Sequence, residues 1–469
     1  MLALGALSLH CGSSEPPSVA AAPVEPEAGF LDVPAREVTL KGKSITIAAE
    51  ARLFYNLLPA DEAPETKPIL VFFNGFAAEI VRAFGTGKST VAEGGAVIDN
   101  PATLTRFANL LYVDPRQAGY SYDLLDRPPE AQDCNDEVFN EYVDAADVLL
   151  AVLRFVEVHP QLAGPIYWAG ESYGGARIQW ILAYLRGRGE LASYDDPLLF
   201  QAIAAAKHPT SLRAGQILLE PWLAGRAHTE AITAVCADVA LLGEVSATIG
   251  EPCVESNACA CADHHERSRY NYGYGLEHQA AREREASLAH TVKVRAEALL
   301  GLPLSSIPLL GAKERGKGFK CSPADDETPS DAELVALLGA LPEGQSYYVP
   351  YSPLLPGKET APSKPDWRNK NLLGVAFADN LEDVPAFLTD GPRDLVVPTR
   401  ALAPALSAIL GSERVDASSP GEIRVKYPSG ARVIPIATYP TAGHMVTMIA
   451  PEDFARDLGK WLEQQRSLP

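Results

Sequence analysis

Residues Gly170-Glu171-Ser172-Tyr173-Gly174-Gly175 form a G-x-S-x-G segment whose flanks restrict the fold more than any other feature of the chain. The short apolar run Ile166-Tyr167-Trp168-Ala169 precedes it, and Ile178, Ile181, Leu182 and Leu185 follow at helical spacing. A strand that becomes a helix within so few residues needs glycines, because the chain must turn sharply with no side chain in the way. The serine then projects from the sheet edge, beside the N–H groups of the first helical turn. Among 36 glycines the bare pattern arises easily by chance. With a strand before it and a helix after it, it reads as a nucleophile elbow with Ser172 as the nucleophile.

A serine hydroxyl needs a base, and the base needs an orienting carboxylate. On this type of sheet they follow the serine in the order acid, then histidine. His444 lies in Ala442-Gly443-His444-Met445-Val446, ahead of a helical stretch with Phe454, Leu458, Trp461 and Leu462 on one stripe. His159 at a helix end, His10 near the N-terminus and the histidines of polar stretches lack such a setting. For the acid, Asp390-Gly391-Pro392-Arg393-Asp394 offers two aspartates after the strand-like Ala386-Phe387-Leu388-Thr389. Asp394 is preferred because Leu395-Val396-Val397-Pro398 can bury it against the imidazole, whereas Asp390 beside Gly391 suits a turn.

Four separate segments resemble the serine carboxypeptidases of the α/β-hydrolase fold. Gly170–Gly175 looks like the family's G-E-S-Y-[AG]-G, and Ala108–Asp114 with Gly119–Tyr122 looks like A-N-L-L-Y-V-D…G-F-S-Y. Asp394–Pro398 and Gly443–Val446 are similar to its acid and base segments, and Phe72–Ala78 corresponds, with departures, to its W-L-N-G-G-P-G loop. The resemblance implies an oxyanion hole made by the backbone N–H groups of Phe76 and Tyr173, each such donor being worth about 10²–10³ in rate. It also implies that Asn74, Gly75 and Glu171 bind the terminal carboxylate of a peptide. A carboxyl group can hydrogen-bond another only while one of the two is protonated, so an acidic pH optimum follows. Phe76 replaces a glycine of the family loop and narrows the approach.

Gly85-Thr86-Gly87-Lys88-Ser89-Thr90 resembles the end of a phosphate-binding loop, but Arg82 stands where that motif requires its first glycine. With 40 basic and 60 acidic residues the net charge is −20, which opposes binding to nucleic acid and to anionic membranes. No uninterrupted apolar run reaches the length of a spanning helix. Met1–Leu9 with Cys11-Gly12-Ser13-Ser14 and a Pro/Ala/Glu-rich stretch to about residue 29 looks like the end of a bacterial lipoprotein signal. That implies export, to the periplasm, an outer-membrane anchor through lipidated Cys11, or the exterior. Cys134, Cys236, Cys253, Cys259, Cys261 and Cys321 then suggest three disulfides, with fifteen pairings open. A metal site from Cys253, Cys259, Cys261, His264 and His265 fits no standard zinc spacing.

The expected architecture is a mostly parallel sheet with helices on both faces, formed by residues 30–223 and 365–469 after a leader at 1–29. An inserted helical, disulfide-bearing cap is expected at 224–364. On this reading the protein is a serine hydrolase without metal or organic cofactor, acting on peptides with a free C-terminus. An esterase or acyltransferase with the same triad, and an inactive binding protein on the same scaffold, are the alternatives. Oligomeric state is left open.

Overall fold

The computed structural model describes residues 24–74, 81, 85–91, 97–118, 121–127, 130, 133, 138–162, 164–206, 211–220, 298, 301, 318–319, 372–392, 399, 402–442 and 445–466. Its main sheet comprises twelve described strands. In the first half of the chain these are β1 (Glu27–Val33), β2 (Glu50–Leu58), β3 (Ile69–Phe73), β4 (Asn109–Val113), β5 (Tyr122–Leu124), β6 (Ile166–Glu171) and β7 (Gly215–Leu219). Later come β8 (Gly318–Phe319), β9 (Ala386–Asp390), β10 (Val415–Asp416), β11 (Glu422–Tyr427) and β12 (Gly430–Thr438). Their spatial order is β8-β5-β2-β4-β3-β6-β7-β9-β12-β11-β10, with β1 paired to β2. The centre, from β4 through β3, β6, β7 and β9 to β12, is parallel.

The innermost of these, β3, β6 and β7, are short and fully buried, because both faces of the sheet are covered there. Ile69, Val71 and Phe73 of β3, with Trp168 of β6 and Leu218 of β7, enter one core. Leu70, Phe72, Tyr167, Ala169, Ile217 and Leu219, alternating with them, enter the other. The first core is closed by α1 (Glu141–Val158), α2 (Tyr173–Leu185), α3 (Pro197–Ala205), α4 (Leu372–Asp383) and α5 (Leu402–Leu410). The second is closed by α6 (Pro451–Arg466), whose Phe454, Leu458, Trp461 and Leu462 form the stripe expected from their spacing. Each such burial contributes roughly 1.5–3 kcal/mol. Trp461 reaches Tyr167 and Phe387 with ring centres 5.6 and 5.7 Å apart.

Helix starts follow the capping chemistry in the sequence. The Asn140 side chain accepts from the N–H groups of Tyr142 and Val143 at 3.0 and 3.1 Å, so α1 begins at Glu141, and Val138 is buried just ahead of it. Asp196 caps α3 through the Leu199 N–H at 3.1 Å. The first strand begins at Glu27, within the stretch expected to be leader, because its register with β2 runs from Glu27 opposite Leu57 to Val33 opposite Ala51.

The expected α/β architecture, with its mostly parallel centre and helices on both faces, is therefore present. The cap expected at 224–364 falls almost wholly outside the described residues. So do all seven cysteines, and with them the disulfides and the lipidation of Cys11. Among the described residues no helix is long and apolar enough to cross a membrane.

Candidate active site

Strand order reverses between β3 and β6: the chain adds β4 on one side of β3, and β7, β9 and β12 beyond β6 on the other. The carboxyl ends flanking such a reversal form a crevice, and that is where the elbow lies. Ser172 follows β6 directly and begins α2 with φ 57° and ψ −126°. A non-glycine residue held there costs about 1–3 kcal/mol. The turn is fixed by its own backbone, the Ser172 N–H donating to the Leu219 carbonyl and the Ser172 carbonyl accepting from the Gly175 N–H, both at 2.9 Å. Glycines are required on each side: a Cβ on Gly170 would sit 2.4 Å from the Gly174 carbonyl carbon, and one on Gly174 would sit 2.9 Å from the Phe73 carbonyl oxygen. Ser172 occupies the N-cap position of α2 yet makes no side-chain capping bond, the usual employment of a serine there.

Register explains the next contact. Phe73 pairs with Gly170 across β3 and β6, so Asn74 and Glu171 are the following residues on adjacent strands. Both are buried, and the Asn74 amide Nδ2 donates to Glu171 Oε1 at 2.7 Å. Tyr173, one residue beyond the serine, opens α2, where the first backbone N–H groups have no helical acceptor and are available to an oxyanion.

Behind these groups lies an ion pair. Arg177, one turn along α2, donates from Nε to Asp144 Oδ2 of α1 at 2.7 Å and from Nη1 to the Asn74 carbonyl at 2.7 Å. Its guanidinium carbon lies 5.0 Å from the Tyr173 ring centre, and the Tyr173 hydroxyl donates to Asp144 at 3.3 Å. Burial pushes the Asp144 carboxyl above its ordinary range, with Arg177 offsetting part of that shift. Burial, reinforced by Asp144, raises the Tyr173 phenol far enough to keep it neutral.

Comparison with known proteins adds a family likeness over part of the chain. The serine carboxypeptidase family model matches residues 23–188, a span that includes Asn74, Glu171, Ser172 and Tyr173. Serine carboxypeptidase-like 44 of Arabidopsis thaliana is 29% identical over 148 residues, covering 28% of this chain and 27% of that protein. Pheromone-processing carboxypeptidase KEX1 of Verticillium alfalfae is 33% identical over 106 residues, 22% of this chain and 15% of its own length. Among solved structures, the Kex1(delta)p prohormone-processing carboxypeptidase of Saccharomyces cerevisiae superposes with a TM-score of 0.51 at 12% identity, covering 94% of this chain and 91% of that one, a likeness of fold. Over residues 23–188 the chain is similar to the serine carboxypeptidases. The matched segment spans about a quarter of the length of the first of these curated relatives.

Of the serine carboxypeptidase site residues expected from the sequence, Asn74, Glu171, Ser172 and Tyr173 come together at the β3/β6 ends. Gly75, Phe76, Asp394 and His444 lie outside the described residues. The strand ends that lead to the acid and base segments do meet: the Tyr439 N–H donates to the Asp390 carbonyl at 2.9 Å, and Thr438 Oγ1 donates to Asp390 Oδ2 at 3.4 Å. His159 caps the end of α1, with Nδ1 2.9 Å from the Phe155 carbonyl and Nε2 2.8 Å from Glu27. That is a structural role. Gly85 is a packing position, since a Cβ there would lie 2.0 Å from the Thr447 carbonyl oxygen. Thr86 bonds the Val81 carbonyl at 2.6 Å and Lys88 lies 3.3 Å from Asp61, so these groups are committed within the fold. Among the described residues no cluster could hold a metal ion.

Two features escaped the sequence reading. Glu220 follows β7 with φ 46° and is fully buried. Its Oε1 accepts from the Gly391 N–H at 2.7 Å and its Oε2 from Thr399 Oγ1 at 3.0 Å. It therefore clasps both flanks of the segment that contains Asp394. The other feature is the Arg177–Asp144 pair. A signal existed for each: Glu220 is a carboxylate directly after an apolar strand, and Arg177 is the one charged residue of a helix whose thirteen residues are all buried.

Proposed function

We propose that this protein is a serine-type carboxypeptidase that removes C-terminal residues from peptides through an acyl-enzyme. The observation that carries the reading is the Asn74–Glu171 bond of 2.7 Å beside Ser172, an amide and a carboxyl group joined one residue from the nucleophile. Asn74 supplies N–H to a terminal carboxylate, and Glu171 shares one proton with it, which favours acidic pH. Ser172 Oγ attacks the last peptide carbonyl while His444 takes its proton, and Asp394 orients the imidazole. The N–H groups of Tyr173 and Phe76 hold the oxyanion. Collapse of that intermediate breaks the C–N bond, with His444 returning the proton to the departing amino acid. Water, activated by the same imidazole, then releases the shortened peptide and regenerates Ser172. Residues 224–364 serve as a cap that shapes the side-chain pockets, and the N-terminal Cys11 segment directs export.

The test compares one peptide with a free and an amidated C-terminus. Cleavage of the free form and its loss on amidation support the exopeptidase, whereas indifference to amidation turns the same serine into an esterase or acyltransferase centre. Ser172→Ala should lower turnover by a factor on the order of 10³–10⁶ with folding intact. Near-wild-type turnover, or failure of a fluorophosphonate to label Ser172, would remove it from the reaction.

A further inference from the structure

The buried Arg177 guanidinium touches the two segments on which the proposed reaction depends. Nη1 donates to the main-chain carbonyl of Asn74 at 2.7 Å, while the Asn74 side chain, on the same residue, donates to Glu171 at 2.7 Å. The cation also covers the Tyr173 ring at 5.0 Å and the Phe73 ring at 5.8 Å, so it sits between the end of β3 and the first turn of α2. Its own rotamer is fixed from α1, where Asp144 accepts from Nε at 2.7 Å and from the Tyr173 hydroxyl at 3.3 Å. A carbonyl held by a charged donor cannot rotate its peptide plane without losing that bond, which is typically worth about 1.5–3 kcal/mol. The plane leaving Asn74, and hence the direction of its side chain, is set by α2 and α1 as well as by β3.

We propose that Arg177, held by Asp144, is a positioning residue for recognition of the substrate's terminal carboxylate, because it fixes Asn74 against Glu171. This rests on the carboxypeptidase reading. Arg177 does not touch substrate: it acts through Asn74, and its removal should loosen the carboxylate site before it impairs the nucleophile. The competing role is a weld between α1, α2 and β3 that serves stability alone.

A double-mutant cycle separates the two. On a peptide with a free C-terminus, R177M should lower kcat/KM about 10- to 100-fold, mainly through KM. N74A should do the same, and the double variant should be little worse than N74A, since both changes remove one device. R177K, which keeps a cation beside Asp144, should recover part of the loss. D144N should raise KM by a smaller factor, and in the N74A background it too should add little. The D144N/N74A cycle decides the matter if R177M proves too unstable to purify. Losses that multiply in the double variant, or a fall in kcat at unchanged KM, would overturn the inference while leaving the carboxypeptidase reading intact. A wild-type enzyme that does not prefer a free carboxylate would overturn both.

Discussion

Asp144 and Asp147 lie one turn apart on α1 and face arginines, yet the two ends of this short stretch do different things. Asp147 is fully buried between two cations, with Arg36 Nη1 2.7 Å from one oxygen and Arg116 Nε 2.5 Å from the other. Burial opposes its ionisation, but the two arginines overcome that and lower its pKa. Those arginines continue outward, Arg36 to Asp196 at 2.7 Å and Arg116 to Asp123 at 2.8 Å, and so tie the start of α3 and strand β5 to α1. Asp144 has one arginine, keeps 14% side-chain exposure, and has its pKa raised by burial. Glu141, one turn further toward the helix start, is driven by burial up to about 7. Along a single helix face, the balance of burial against neighbouring cations decides the outcome: two arginines lower the pKa of Asp147, one leaves that of Asp144 raised, and Glu141, whose desolvation Lys41 offsets only in part, rises toward neutral pH.

This contrast can be broken most forcefully at Asp147. Asp147→Asn leaves two buried guanidinium groups short of their shared anion and should cost about 3–5 kcal/mol in urea unfolding. KM for peptides should stay near wild type in the folded fraction. A mild effect on stability joined to a large one on KM would erase the distinction from Asp144. The smaller test is Glu141→Gln. Because burial raises the folded-state pKa of Glu141 above its ordinary 4.5, the native protein keeps a proton that the unfolded chain releases. Stability therefore declines as pH rises from about 4.5 to 7. The amide variant should lack that decline and be more stable than wild type above pH 7, by about 3 kcal/mol. Equal melting profiles across that range would mean that Glu141 is solvated or paired after all.

The sheet and the elbow could be read from the chain because their causes are local. Ile69–Phe73 and Ile217–Leu219 are apolar without alternation, as strands covered on both faces must be. Gly170 and Gly174 announce the tight turn that the structure needs. The pairing of Asn74 with Glu171 could be anticipated only through a family resemblance, since it depends on the register of two strands 97 positions apart. Arg177 and Glu220 stand out in the sequence as single charges beside apolar runs, but their partners could not be read from it. Arg177 meets Asp144 across 33 positions and two helices, and Glu220 meets Thr399 across 179, separations at which no periodicity or capping rule applies. The antiparallel pairing of β11 with β12, which extends the sheet beyond its parallel centre, also passed unread although its alternating residues carried the pattern.

The second core has a consequence for how the chain comes into being. Leu70, Phe72 and Tyr167 are synthesised early, but the helix that shields them from water, with Phe454, Leu458 and Trp461, emerges from the ribosome only after everything between them. A nascent chain must therefore carry an uncovered greasy flank for most of translation, the condition that recruits chaperones and invites aggregation.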